Sequence, residues 1–215
     1  MLMLDYQKEF ISYALECGVL KFGQFQLKSG RTSPYFFNTG LFNTGAKLDK
    51  LGHFYAQALI NSKLNPDILY GPAYKGIPLV STTSIAYSRL TGQDMPFAFN
   101  RKEAKDHGEG GALVGSPLQG RVVILDDVIT AGTSVRESVE IINNMQAQPV
   151  GVLIALDRQE KGLNSMSATM EVEESFSMPV KAIISLANII EFLQADANKL
   201  NELTAIEQYQ KNYGV

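Results

Sequence analysis

The feature that most constrains the fold is that this chain's apolar segments are continuous rather than alternating. ILY at 68–70, VVIL at 122–125 and VGVLIAL at 150–156 show no polar residue at every second position. A strand with one face in water needs that alternation, so such runs belong to strands covered on both faces, as in parallel sheets. A further strand is expected at 95–100. Between the strands lie stretches with helical spacing: Leu48, Leu51, Tyr55, Ala58 and Leu59, then residues 77–90 and 135–145. Alternating strands and helices predict an α/β fold, a central, mostly parallel, twisted sheet flanked by helices.

A different pattern precedes the alternation. Phe10, Ile11, Ala14 and Leu15 share one face of a short helix over 5–16, with Asp5 placed to cap it and Gly18 to stop it. From 19 to 38 the chain turns to aromatic and β-branched residues around the turn signal KSGRTSP, which predicts a hairpin or short strands. Residues 1–45 therefore read as a small N-terminal hood within a single domain spanning 1–215. Toward the other end, 180–193 reads as a last strand and helix and 198–213 as a closing helix. No repeat or long linker divides the chain, and 45% apolar content suffices for a sizeable core.

A formal net charge of −3 argues against nucleic-acid or membrane-surface partners, so an anionic ligand must be held locally. The N-terminus carries acids too early for a secretion signal, and no run of about 18 apolar residues exists. The expectation is a cytoplasmic protein. Cys17 is the one cysteine, which excludes an intramolecular disulfide and reads as packing.

In open parallel sheets ligands bind beyond the carboxyl ends of the strands, so the residues after each apolar run carry the information. After VVIL come Asp126 and Asp127, then Val128, Ile129, Thr130, Ala131, Gly132, Thr133 and Ser134, and then a helix. Gly132 permits a tight turn, and the backbone N–H groups and hydroxyls of Thr130, Thr133 and Ser134 suit a phosphate at the positive end of that helix. The two carboxylates repel a phosphate and instead suit hydrogen-bond donors such as ribose hydroxyls. A ribose 5-phosphate satisfies both halves of the stretch. The nucleotide loop G-x-x-x-x-G-K-[ST] is absent, and no G-x-G-x-x-G follows a strand.

Three further segments lie where binding loops belong. GPAYKG at 71–76 combines small residues with Tyr74 and with Lys75, whose charge suits a diphosphate. NRKEAKDHGEGG at 100–111 balances basic Arg101, Lys102 and Lys105 against three acids beside His107, and its glycines suit a mobile lid. LKSGRTSPYFFNTG at 27–40 holds Lys28 and the aromatic pair Phe36 and Phe37, read as a stacking wall for a base. After the 150–156 strand, Arg158 suits bidentate pairing with a planar carboxylate.

The stretch 122–134 resembles the phosphoribosyl-diphosphate signature of the type I phosphoribosyltransferases. The 100–111 segment and the LKSGR and SPYFFN strings resemble the orotate phosphoribosyltransferases within that family, bacterial ones in particular, and the resemblance spans essentially the whole chain. It implies transfer of ribose 5-phosphate from phosphoribosyl diphosphate to orotate, with Mg²⁺ as cofactor, in pyrimidine (UMP) biosynthesis. It implies catalytic roles for Lys75, Arg101, Lys102, Lys105 and His107, which also join Lys28, Tyr74 and residues 126–134 in holding the donor. Phe36, Phe37, Thr130 and Arg158 are implied for orotate. No protein side chain is expected as a firm metal ligand. A homodimer with shared active sites is implied, with Lys102 given in trans. The alternatives are transfer to another base and a non-catalytic sensor of phosphoribosyl diphosphate in a regulator; no added DNA-binding element supports the latter.

Overall fold

The computed structural model describes residues 3–27, 29–105, 111–162 and 165–215, and of these the side chains at 104, 105, 111 and 112 are left aside. The chain opens on α1 (Asp5–Glu16), which buries Phe10, Ile11 and Ala14. Leu4 occupies the N-cap position, and its N–H donates to the side chain of Gln7 at 2.9 Å. The expected cap, Asp5, lies instead in the first turn, where its charge still favours the positive helix end. Gly18 follows the helix at φ +68°, a conformation glycine adopts without strain. β1 (Leu20–Gln26) and β2 (Thr32–Phe37) then pair antiparallel as a separate two-stranded sheet.

The main body begins with α2 (Gly45–Ser62), capped by the Thr44 side chain, and runs through β3 (Ile68–Gly71), α3 (Gly76–Thr91), β4 (Phe97–Lys105), β5 (Gly111–Gly115) and β6 (Arg121–Leu125). It continues with α4 (Thr133–Asn144), β7 (Gln148–Asp157), α5 (Ala168–Phe176), β8 (Val180–Ser185), α6 (Leu186–Gln194) and α7 (Leu200–Tyr213). The strand order is β5-β4-β3-β6-β7-β8. Every pairing is parallel except β4 with β5. The expected α/β architecture is therefore present, with β3 and β6 at its centre.

The continuous apolar runs have a direct cause. Leu69, Val123, Leu125, Leu153, Ala155 and Ile183 join a core with α1, α2, α3, α6 and α7 on one side of the sheet. Their neighbours Ile68, Tyr70, Val122, Ile124, Val152 and Ile154 join a second core with Val135, Val139 and Ile142 of α4 and Val172 of α5. Alternation exists, but both destinations are apolar. Burying both faces removes water from the strand backbone, so its polar groups must pair within the sheet.

Two elements depart from expectation. The strand expected at 95–100 extends to Lys105 and pairs antiparallel with β5, which the sequence reading did not contain; Asn100 stands opposite Leu113 and Lys105 opposite Gly111. The lid expected over 100–111 thus has hairpin arms at its two ends, while residues 106–110, His107 among them, lie outside the described residues. An edge hairpin takes its order from a backbone ladder and carries charged side chains, so RKEAK gives no apolar signal. Helix α5, capped by the Ser167 side chain, was also unexpected, since only Thr169 and Val172 of it are buried.

Helices α2 and α3 touch most closely at Gly52. A Cβ there would meet the Thr82 carbonyl carbon at 2.7 Å and its Oγ1 closer still. Thr82 cannot give way freely, because that hydroxyl donates to the Leu48 carbonyl at 3.0 Å. We predict that Gly52→Ala lowers unfolding free energy by about 1–3 kcal/mol, as overpacking does. Gly45→Ala, where a Cβ meets nothing within 4 Å, serves as the control and stays near wild type. Equal urea midpoints for the two variants contradict this packing account.

Candidate active site

Because β3, β4 and β6 lie side by side and run parallel, the segments that leave their carboxyl ends converge on one edge. Residues Val122, Val123, Ile124 and Leu125 are fully buried, and the chain then delivers two acids, Asp126 and Asp127, that are also buried. Their surroundings differ. The Asp126 carboxylate accepts the Asp127 N–H at 2.8 Å, and its backbone carbonyl accepts the Tyr55 hydroxyl of α2 at 2.8 Å. Asp127 turns the other way: Oδ2 accepts from Lys75 Nζ at 2.6 Å and from Thr39 Oγ1 at 2.9 Å, while Oδ1 accepts the Val128 N–H at 2.8 Å.

These partners give the acids different electrostatics. Burial pushes the Asp126 carboxyl up to about 6; the Asp127 N–H pulls the other way, the Asp127 charge adds to the rise, and a hydrogen bond with Ser134 opposes it. Asp127 has a lysine in direct contact. Of the two, Asp126 is the one that a donor-rich ligand would relieve, because its buried charge lacks a cation at hydrogen-bond distance among the described residues.

The loop after the acids leads into the N-terminus of α4. Val128 packs toward the first core and Ile129 toward the second, which pins the start of the loop to the sheet. Gly132 holds the N-cap position of α4 at φ +68°, and no side chain caps the helix. The N–H groups of the first turn are thus left for a ligand, and the helix dipole favours an anion there. Thr130, Ala131 and Thr133 are exposed, with Ser134 half-buried beside them.

The loop after β3 turns back within six residues, and its two glycines are forced by contact: a Cβ on Gly76 would lie 2.6 Å from the Gly71 carbonyl carbon. The Ala73–Tyr74 peptide bond is cis. Asn100 braces the loop by accepting the Ala73 N–H on Oδ1 at 2.8 Å. Tyr74 is largely exposed. Lys75, expected on a diphosphate, is ion-paired with Asp127 and two-thirds exposed. Lys102 and Asn100 line, with Pro72, Ala73, Thr133 and Ser134, a cleft of about 230 Å³. Arg101 is half-buried on the same strand. Lys28 and His107 lie outside the described residues, as does the Lys105 side chain.

On the base side the paired aromatics separate. Successive strand residues point to opposite faces, so Phe36 stacks on Phe25, centroids 5.4 Å apart, while Phe37 packs edge-on against core residue Phe10 at 6.4 Å. The expected two-ring wall is not formed; Phe36 alone is solvent-facing. Arg158 follows β7 and is held by Glu160: its Nε donates to Glu160 Oε1 at 3.0 Å, Nη2 makes an ion pair with the same oxygen at 2.7 Å, and Nη2 donates to Ser33 Oγ at 3.3 Å. Nη1 takes part in none of these three contacts, and the Tyr209 hydroxyl of α7 also lies close enough to interact with the group, so the expected two-nitrogen fork has its Nη2 side already engaged.

Thr39, Tyr55, Asn100 and Glu160 were not read from the sequence as site residues. Asn100 was recoverable, since it sits at the carboxyl-end position that the sheet rule highlights. Glu160 was recoverable too, two residues from Arg158 just past the end of β7, whereas Thr39 and Tyr55 act from distant segments and leave no local pattern. Among the described residues no group of three or more His, Cys, Asp and Glu side chains is placed to hold a metal, and no helix is long and apolar enough to cross a membrane.

Comparison with known proteins agrees with this geometry. Residues 40–183 match the family model of the phosphoribosyl transferase domain. The chain is 59% identical to the orotate phosphoribosyltransferase of Methylococcus capsulatus, covering 99% of both chains. It is 57% identical to that of Pseudomonas paraeruginosa, over 99% of this chain and all of the relative. The crystal structure of the orotate phosphoribosyltransferase of Francisella tularensis superposes with a TM-score of 0.88 at 44% identity, covering 96% of this chain and 100% of that one.

The raised Asp126 pKa carries a stability consequence. The folded protein binds this proton more tightly than the unfolded chain, so the stabilising effect of protonation is complete below the ordinary value of 3.8 and is lost as pH rises through about 6. Asp126→Asn has no such group. Wild type should therefore gain stability relative to Asp126→Asn as pH falls from 7 to about 4, measured by denaturant midpoints across that range. A constant difference between the two proteins contradicts the buried, ionised state assigned to Asp126 at neutral pH.

Proposed function

The chain belongs to the orotate phosphoribosyltransferase family, and from that premise we propose how its residues divide the reaction. It transfers ribose 5-phosphate from 5-phosphoribosyl 1-diphosphate to orotate, giving orotidine 5′-phosphate and diphosphate, a step of pyrimidine biosynthesis. The observation that carries the assignment of residues is the buried Asp126–Asp127 pair set against the uncapped N-terminus of α4.

In this reading the 5-phosphate lies on the backbone N–H groups and hydroxyls of 130–134, where the helix end favours its charge. The ribose diol faces the acids, with Asp126 accepting from it. Lys75 leaves Asp127 when the donor arrives and pairs with the diphosphate, and its place on Asp127 passes to a sugar hydroxyl. Arg101, Lys102, Lys105 and His107 neutralise the charge that gathers on the departing diphosphate, while positive charge develops at the anomeric carbon. Tyr74 and Lys28 complete the donor site. Phe36, the Phe37 backbone, Thr130 and Arg158 hold orotate, Arg158 through its carboxylate. Residues 1–45 act as a hood over the base within one domain.

The residues present suit Mg²⁺ held chiefly by the oxygens of the substrates and by water. The carboxylates of Asp126 and Asp127 are the hard oxygen donors such an ion takes, but in this reading both are engaged by the sugar hydroxyls once the donor is bound. When bound, the ion adds positive charge to the leaving diphosphate. We further propose a cytoplasmic homodimer with shared sites, in which Lys102 acts across the interface.

The acceptor is tested by supplying phosphoribosyl diphosphate, Mg²⁺ and each base in turn. Orotate is consumed and uracil and adenine are not; the reverse outcome overturns the base assignment. Sharing is tested by mixing Lys102→Ala subunits with Asp126→Asn subunits. Each alone is strongly impaired, and the mixture recovers up to about a quarter of wild-type activity because one site per mixed dimer is intact. Activity that never exceeds the sum of the separate variants rules out donation in trans.

A further inference from the structure

The guanidinium of Arg158 sits in a seat more elaborate than an exposed ion pair requires. Its side chain is 21% exposed and that of Glu160 12%. One carboxylate oxygen, Glu160 Oε1, accepts from Arg158 Nε at 3.0 Å and from the Tyr35 hydroxyl at 3.0 Å, and is ion-paired with Arg158 Nη2 at 2.7 Å. Beneath the guanidinium lies the Tyr35 ring, 4.4 Å from Cζ to the centroid. That ring is fully buried and is met edge-on by Tyr209 of α7 at 6.4 Å. Position, tilt and rotation of the guanidinium plane are thus each constrained by a different contact.

The backbone that carries Glu160 is clamped from two sides. The Lys161 N–H donates to the Tyr213 carbonyl at 2.8 Å, and the Val215 N–H donates to the Gln159 carbonyl at 3.1 Å. From the hairpin side, Arg31 donates to the Lys161 carbonyl at 2.8 Å and lies over the Tyr213 ring at 4.8 Å. The segment is therefore tied to α7 and to the hairpin at once.

We propose that Glu160 and Tyr35 are positioning residues which lock one edge of Arg158 and present its Nη1 to the carboxylate of the pyrimidine. This rests on the reading that Arg158 binds that carboxylate. An arginine has many rotamers, and fixing it in advance removes an entropic cost from substrate binding. The negative charge of Glu160 works in the opposite direction, because it cancels the field of Arg158 and repels an incoming carboxylate. Positioning and field therefore predict opposite results when Glu160 is changed.

The experiment measures KM for orotate and for phosphoribosyl diphosphate, with kcat, in Arg158→Ala, Glu160→Ala, Glu160→Gln and Tyr35→Phe. Positioning predicts that Glu160→Ala raises KM for orotate about tenfold, the effect of losing charge-assisted hydrogen bonds, while KM for the diphosphate donor stays within about twofold. Glu160→Gln keeps an acceptor for Nε and Nη2 and restores KM to within about threefold of wild type; Tyr35→Phe raises it about threefold by freeing one donor to Glu160. A lower KM for orotate in both Glu160 variants means the field term governs and overturns the proposal, as does an equal rise for both substrates. Where Glu160→Ala does not fold, Tyr35→Phe and Glu160→Gln decide: a Tyr35→Phe KM equal to wild type, or a Glu160→Gln KM more than about tenfold higher, is contradictory. Arg158→Ala separates the two levels: an unchanged KM for orotate removes the carboxylate reading itself, whereas a raised one with unaffected Glu160 and Tyr35 variants removes the positioning role alone.

Discussion

Parallel pairing of β3 with β4 on one side and β6 on the other is the constraint on which the rest depends. It places the carboxyl ends of three consecutive sheet neighbours along one edge, so residues 27 and 52 positions apart in sequence share a site. Lys75 reaches Asp127, and Asn100 braces Ala73, because of this register. Two-sided burial of the strands holds the register, since a one-residue slip would exchange the residues of two separately packed cores.

From that frame follows an electrostatic division. Two adjacent carboxylates at a buried strand end are costly unless their environments differ, and here they do. Asp127 is compensated by Lys75, whereas Asp126 is compensated only by hydrogen bonds and is pushed upward by burial. The phosphate end of the proposed site needs no lysine of its own, because the first turn of α4 is uncapped and supplies N–H groups and the dipole together. Beyond β7 lies a third device, an arginine held by a carboxylate and a ring rather than left free in solvent.

Much of this was legible because it is local. Continuous runs such as VVIL specify doubly covered strands, and the acids, the turn glycine and the hydroxyls that follow them lie within thirteen consecutive residues, 122–134. What escaped is non-local or has no apolar signature. The β4–β5 arms carry charged residues on an edge, and α5 buries little of its surface. Thr39 gains its role only when the 3-10 turn at Thr39–Leu41 is brought against Asp127, and the Tyr35 contact of Glu160 likewise joins segments far apart along the chain. Phe36 and Phe37 show the converse: neighbours in sequence suggested one wall, and strand geometry put them on opposite faces.

The central claim is that the 126–134 loop and the 72–76 loop grip one phosphorylated sugar between them. Amide hydrogen exchange with and without phosphoribosyl diphosphate and Mg²⁺ addresses it directly, because the N–H groups at the start of α4 are proposed to bond the phosphate. The account predicts slowed exchange in 128–136 and in 73–76, with β8 and α7 unchanged. Unchanged exchange in both loops at saturating ligand contradicts it.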